Sequence, residues 1–158
     1  MKKITFSLLL MMSSFLLIAQ EKDSIYSSGD VAFAIIDQAP VFPGCEKLDK
    51  NLQKLCLQNQ IKLHVNKKFN SGIANGLGLK PGKIRIYVMF KIDKNGYVTG
   101  IRARGPHVDL ENEAVRTIEL LPNMTPGKQK GKNVGVKYTL PITLLVEKKK
   151  RKRRKYKF

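Results

Sequence analysis

The chain has 158 residues, with 30 Lys+Arg against 12 Asp+Glu, a net charge of +18 and a pI near 10.1. A charge this high raises the prospect of nucleic-acid binding, but it is concentrated at the two ends. Taking nine positive charges of the C-terminal tail and two of the N-terminus from +18 leaves about +7 for residues 21–147, ordinary for a soluble basic domain of one modest core.

The N-terminus reads MKKITFSLLLMMSSFLLIAQEKDS. Lys2 and Lys3 precede an uncharged apolar stretch from Ile4 to Ile18, and Ala19-Gln20 gives way to Glu21-Lys22-Asp23. This is the layout of a secretory signal peptide over residues 1–20. A spanning helix needs roughly 20 apolar residues, and Thr5, Ser7, Ser13 and Ser14 dilute this shorter run. Export to the periplasm is therefore expected, with inner-membrane anchoring if the segment is not cleaved. In that compartment nucleic acid is not an expected partner. Residues 21–37 read as an exposed lead-in to a domain over 38–147.

Cys45 and Cys56 are the two cysteines. An even pair in an exported chain predicts a disulfide, one that staples the N-terminal arm to a helix. The competing reading is a metal site with His64 and His107, but neither spacing resembles a zinc module. Leu48 to Phe69 has helical periodicity: Leu57, Ile61 and Val65 form one row, and Leu48, Leu52, Leu55 and Cys56 a second that could hold the arm. The Gly-rich stretch before Pro81-Gly82 is a loop.

KIRIYVMFKID alternates as a strand, with Ile84, Ile86, Val88, Phe90 and Ile92 on one face. Asp93-Lys94-Asn95-Gly96 is a hairpin turn, and YVTGIRARG returns as the partner. Val98 and Ile101 are three apart, so a bulge near Gly100 is needed to keep both on the core face. A second helix is expected from about Asp109, as N-cap, to Leu121, and Pro122 stops it. After a basic loop, VGVKYTLPITLLVE alternates again. Pro141 cannot donate to a ladder, which predicts a sheet edge or a bulge. The fold class is α+β: an antiparallel three- to four-stranded sheet with two helices packed on one face.

His107 lies near Asp109, but the sequence has no nucleophile motif, phosphate loop or metal cluster beside them. No catalytic residue, cofactor or metal site is assigned, and a non-enzymatic protein is expected. The tail residues Lys148, Lys149, Lys150, Arg151, Lys152, Arg153, Arg154 and Lys155 form a like-charge run expected to be disordered. They are the candidate contacts for an anionic envelope surface, and the alternative reading of the chain is a scaffold or adhesion protein held there by this tail.

The combination FKIDKNGYVTGIRARG and LENEAVRTIELLPNMTPGKQKGKNVGVKYTLPITL resembles the C-terminal domain of TonB-family proteins. Phe90, Asp93, Asn95-Gly96 and Val98 fit its hairpin, Glu113-Ala114-Val115 its helix, Pro126-Gly127-Lys128 its loop, and Tyr138, Pro141 and Ile142 its final strand. The resemblance covers about residues 38–147. Phe69-Asn70 stands where the family usually has an aromatic-Pro pair, and all seven prolines lie in or beside the domain rather than in a long spacer. The resemblance implies a periplasmic binding module that engages an extended segment, the TonB box of an outer-membrane receptor, in energy-dependent transport. Strand addition is the mode expected. The candidate edge comprises Val136, Lys137, Tyr138, Thr139, Leu140, Ile142, Thr143 and Leu144. Exposed edges also permit a homodimer.

Overall fold

A computed structural model of the protein describes residues 29–147. The expected signal peptide and basic tail lie outside the described residues. Three long strands carry the architecture: β2 (Gly82–Ile92), β3 (Val98–Arg104) and β6 (Val136–Val146). β2 and β6 are antiparallel in one unbroken register, from Gly82 opposite Val146 to Ile92 opposite Val136. Because side chains alternate with period two, this register puts Ile86, Val88, Phe90 and Ile92 on the same face as Val136, Tyr138, Leu140, Ile142 and Val146, and all are buried. Two helices cover that face. α1 (Lys50–Lys68) contributes Leu57, Ile61 and Val65, and α2 (Val108–Glu119) contributes Leu110, Ala114 and Ile118. Each such Leu or Ile stabilises the fold by roughly 1.5–3 kcal/mol relative to exposure.

The β2–β3 hairpin closes through Asp93, whose Oδ1 accepts from the Asn95 N–H at 2.8 Å and the Tyr97 N–H at 2.9 Å. Gly96 has φ 90°, and a Cβ there would fall on the Met124 carbonyl oxygen, so only glycine fits. The β2–β3 register shifts between Met89 and Lys91, where Gly100 at φ 60° lies in the partner strand. This bulge keeps both Val98 and Ile101 against the core.

Four expectations are corrected. The sheet is mixed, not purely antiparallel: β1 (Val31–Ala32) pairs with β6 in parallel, giving the order β1-β6-β2-β3. Residues 29–37 are accordingly not an exposed lead-in. The Val31 N–H donates to the Gly135 carbonyl at 2.8 Å and the Phe33 N–H to the Lys137 carbonyl at 3.0 Å. The Phe33 ring lies 4.7 Å from that of Tyr138, and Ile36 is buried. This segment docks because the flank of β6 offers backbone partners and an apolar ring together.

The second leucine row of α1 does not hold the arm. Leu48, Leu52 and Leu55 are 39–55% exposed. The arm instead bridges the segment after α2, Gln38 opposite Lys128 and Val41 opposite Thr125, where backbone groups of both segments need partners. Cys45 and Cys56 are joined, with Cα atoms 6.2 Å apart, so the arm meets α1 at a covalent staple. Finally, α2 is capped by His107, not Asp109. His107 has extended backbone geometry, and its Nδ1 accepts from the Asp109 N–H at 3.1 Å. Asp109 thus falls in the first turn, where its charge suits the helix start. The basic loop carries a small hairpin of β4 (Lys128–Gln129) and β5 (Lys132–Asn133).

Candidate peptide-binding edge

Backbone groups of one residue in a strand point to the same neighbour, and those of successive residues alternate. The Gly135 and Lys137 carbonyls point to β1, so odd-numbered residues of β6 face the outer flank and even-numbered ones face β2. Pro141 is odd-numbered. Its missing N–H therefore removes nothing from the β2–β6 ladder, which explains how proline sits in the middle of an eleven-residue strand.

The outer flank is covered at both ends and open between. β1 occupies Val136 and Lys137. At the far end the Glu147 N–H donates to Asn75 Oδ1 at 3.3 Å, from the 3-10 turn Ser71–Gly76. From Thr139 to Leu145 no strand pairs with this flank among the described residues. The open run is about 20 Å long. By the alternation, its donors are the N–H groups of Thr139, Thr143 and Leu145, with carbonyls of Thr139, Pro141, Thr143 and Leu145 as acceptors.

α1 runs beside this open flank. A recess of about 480 Å³ at the end of β1 lies between Lys54 and Gln58 on the helix and Lys137–Thr139 on the strand. Farther along, a groove of about 410 Å³ lies between Lys62, Val65, Asn66 and Phe69 and residues 140–144. The first recess is shaped by stacking: Lys54 Nζ lies 5.0 Å from the centre of the Phe33 ring and donates to the Ala34 carbonyl at 3.3 Å. Tyr138 stacks on Phe90 and meets Phe33 at a tilt, and burial raises its hydroxyl pKa.

The groove keeps its width only if α1 is fixed at both ends. The Cys45–Cys56 bond holds the N-terminal half. At the C-terminal end, buried Glu113 of α2 accepts from Arg116 Nε at 2.8 Å, from Arg116 Nη2 at 2.6 Å, and from the Asn70 N–H at 2.7 Å. Arg116 also donates to the Lys68 carbonyl in the last turn of α1 at 2.8 Å. The Arg116 guanidinium holds the Glu113 carboxyl below its usual range against the upward pull of burial, and the Asn70 N–H adds to the lowering. Arg116 is raised in turn. His64 Nε2 makes a further tie to the Thr117 carbonyl at 2.9 Å.

The expected edge residues therefore divide. Thr139, Thr143 and the Pro141 carbonyl lie on the open flank. Tyr138, Leu140, Ile142 and Leu144 turn their backbone groups to β2, and Val136 and Lys137 lie under β1. Sequence reasoning missed the helix wall, although Lys54, Gln58, Lys62 and Asn66 recur every four residues beside the buried row. It also missed the Glu113–Arg116 clamp. His107 and Asp109, 3.6 Å apart, serve the start of α2, and among the described residues no group of three His, Cys, Asp or Glu is placed to hold a metal.

The site is thus a helix-covered sheet with an open strand flank and an adjoining groove. Residues 85–143 match the family described as Gram-negative bacterial TonB protein C-terminal, and the domain they form belongs to that family. The match spans eight of the eleven residues of β2, the hairpin, α2, and eight of the eleven residues of β6. The match marks the domain as a TonB-like module. No curated protein matches the chain. Among the described residues no helix is long and apolar enough to cross a membrane.

Proposed function

We propose that the domain binds an extended segment of an outer-membrane receptor by strand addition along Thr139–Leu145. The observation that carries this reading is the open outer flank of β6, bounded by β1 and Asn75 and walled by α1. β1 already pairs with the first two residues of this flank, so the edge accepts a neighbouring strand. The partner's backbone supplies most of the contacts, and side chains on one of its faces enter the groove beside Val65 and Phe69. The gap at Pro141 is tolerated because its carbonyl still accepts.

Titration of a receptor-derived extended peptide against two variants tests the reading. Thr143→Pro removes an outward donor and should abolish binding, while circular dichroism shows a folded protein. Thr143→Ala keeps the donor and should bind within about twofold of the parent, as expected of a surface change. Unchanged affinity in a folded Thr143→Pro variant would take this flank out of the interface.

A further inference from the structure

Among the described residues no element covers the sheet face opposite the helices, and its composition is one-sided. β2, β3 and β6 contain no Asp or Glu. The register arranges their outward side chains in cross-strand rows: Lys83 with Leu145, Arg85 with Thr143, Arg104 with Tyr87 and Pro141, and Arg102 with Met89 and Thr139. Tyr87, Met89 and Leu145 on this face are 47%, 38% and 66% exposed and stand among the cations. Arg104 approaches Glu111 at 3.6 Å but remains mostly exposed, whereas Lys83, Arg85 and Arg102 have no acidic partner among the described residues. A surface recess of about 340 Å³ opens between Met89 and the two arginines of β3.

We propose that this face docks on an anionic lipid surface. Charge complementarity selects an anionic partner. The apolar side chains between the cations favour a bilayer over a soluble polymer, because only an interface offers phosphates and a less polar layer within the same few ångströms. Arg and Lys stems can lie along that layer while their heads stay at the phosphates. The eight consecutive cations from Lys148 to Lys155 follow β6 two residues later in sequence and add to the charge of the chain. The groove lies on the helix side of the sheet, which leaves it open to a protein partner while the opposite face is docked.

The chain contains no Trp, so a single introduced Trp reports its own surroundings. In the full chain, Tyr87→Trp should shift its emission to the blue and be quenched by brominated acyl chains. This is expected with phosphatidylcholine–phosphatidylglycerol vesicles and not with phosphatidylcholine alone. Leu63→Trp, on the outer side of α1, should respond to neither. Arg85→Gln with Arg102→Gln should lower vesicle affinity by about fivefold per charge at low salt. An unshifted reporter at position 87 on sedimenting protein would assign binding to the tail alone and overturn the proposal. So would a response at position 63 in place of 87, an unchanged affinity in the double Gln variant, or an equal shift with soluble polyphosphate.

Discussion

The two flanks of β6 are built from one run of residues and do opposite things. The inner flank pairs with β2 across eleven consecutive positions, and the side chains that share its even parity are mostly buried. The outer flank is paired over two residues, capped at one more, and otherwise open. The difference teaches that in a strand the roles of structure and recognition separate by parity, not by region. Proline is tolerated at 141 only because of which flank it faces, and one residue away it would break the sheet.

The largest effect expected follows from that parity. Leu140→Pro removes a ladder donor to β2, at about 1–3 kcal/mol for the acceptor left unpaired, and truncates a buried side chain at about 2 kcal/mol or more. The variant should fail to give a cooperative thermal transition, whereas Thr143→Pro should keep one. Equal stability of the two would show that the flanks are not distinguished as the register implies.

The open flank depends on α1 standing beside it, and the Cys45–Cys56 staple is the next largest contributor. For a loop closed over eleven positions, reduction or Cys45→Ser with Cys56→Ser should lower stability by about 3 kcal/mol. Because α1 keeps its buried row of Leu57, Ile61 and Val65, the reduced protein should remain folded in dilute buffer but bind the extended peptide more weakly. Denaturant melts with and without reductant measure the first effect, and titration the second.

At the other end of α1, Glu113→Gln should cost about 2 kcal/mol, since it turns charge-assisted bonds from Arg116 and Asn70 into weaker ones. The pH dependence carries a definite sign. The folded-state pKa of Glu113 lies below the ordinary value of a glutamate, so its contribution is complete above the unfolded value and is lost as pH falls through the folded one. Stability should drop on acidification below about pH 4.5, and the Gln variant should show a shallower drop. Glu46, lowered by its own N–H and by that of Gly44, titrates in both proteins and so cancels in the difference.

Much of the fold is legible in the residue order because its signals are local. Period-two alternation marks β2 and β6, Asn95-Gly96 marks the hairpin, and the three-residue gap from Val98 to Ile101 already requires a bulge. What was not legible depends on distant partners. β1 is two residues long and gains its meaning only from Gly135 and Lys137, about a hundred positions away. The leucines on the outer side of α1 follow a helical row as regular as the buried one, and only the route of the arm decides which row is covered. Asp109 has the higher propensity for a cap, but His107 takes the position because its backbone is extended there. At the edge, alternation separates two sets of residues, and the pairing with β1 decides which set faces outward. Proline at 141 was the one clue to that parity in the sequence.

The smallest effect tests the Phe69-Asn70 pair, where the resemblance leads to the expectation of an aromatic-Pro pair. Phe69 keeps the aromatic and lines the groove. Its backbone at φ −77° and ψ 124° is the extended geometry that residues before proline favour, and Asn70 at φ −82° is close to the proline range. Sterically, then, Asn70→Pro should fit. What it removes is the N–H donated to Glu113 and the Oδ1 that accepts from the Gly72 N–H at 3.2 Å. Glu113 retains both Arg116 bonds, and a stiffer unfolded chain offsets part of the loss. The net cost should be about 1 kcal/mol, a fall in Tm of about 4 °C for a domain of this size. Since the Phe69 ring and the open flank stay in place, peptide affinity should change little. A rise in Tm would show that the Asn70–Glu113 bond does not explain the departure. A double-mutant cycle with Glu113→Gln would then show no coupling, whereas the geometry predicts that part of the cost of Asn70→Pro disappears when the carboxylate becomes an amide.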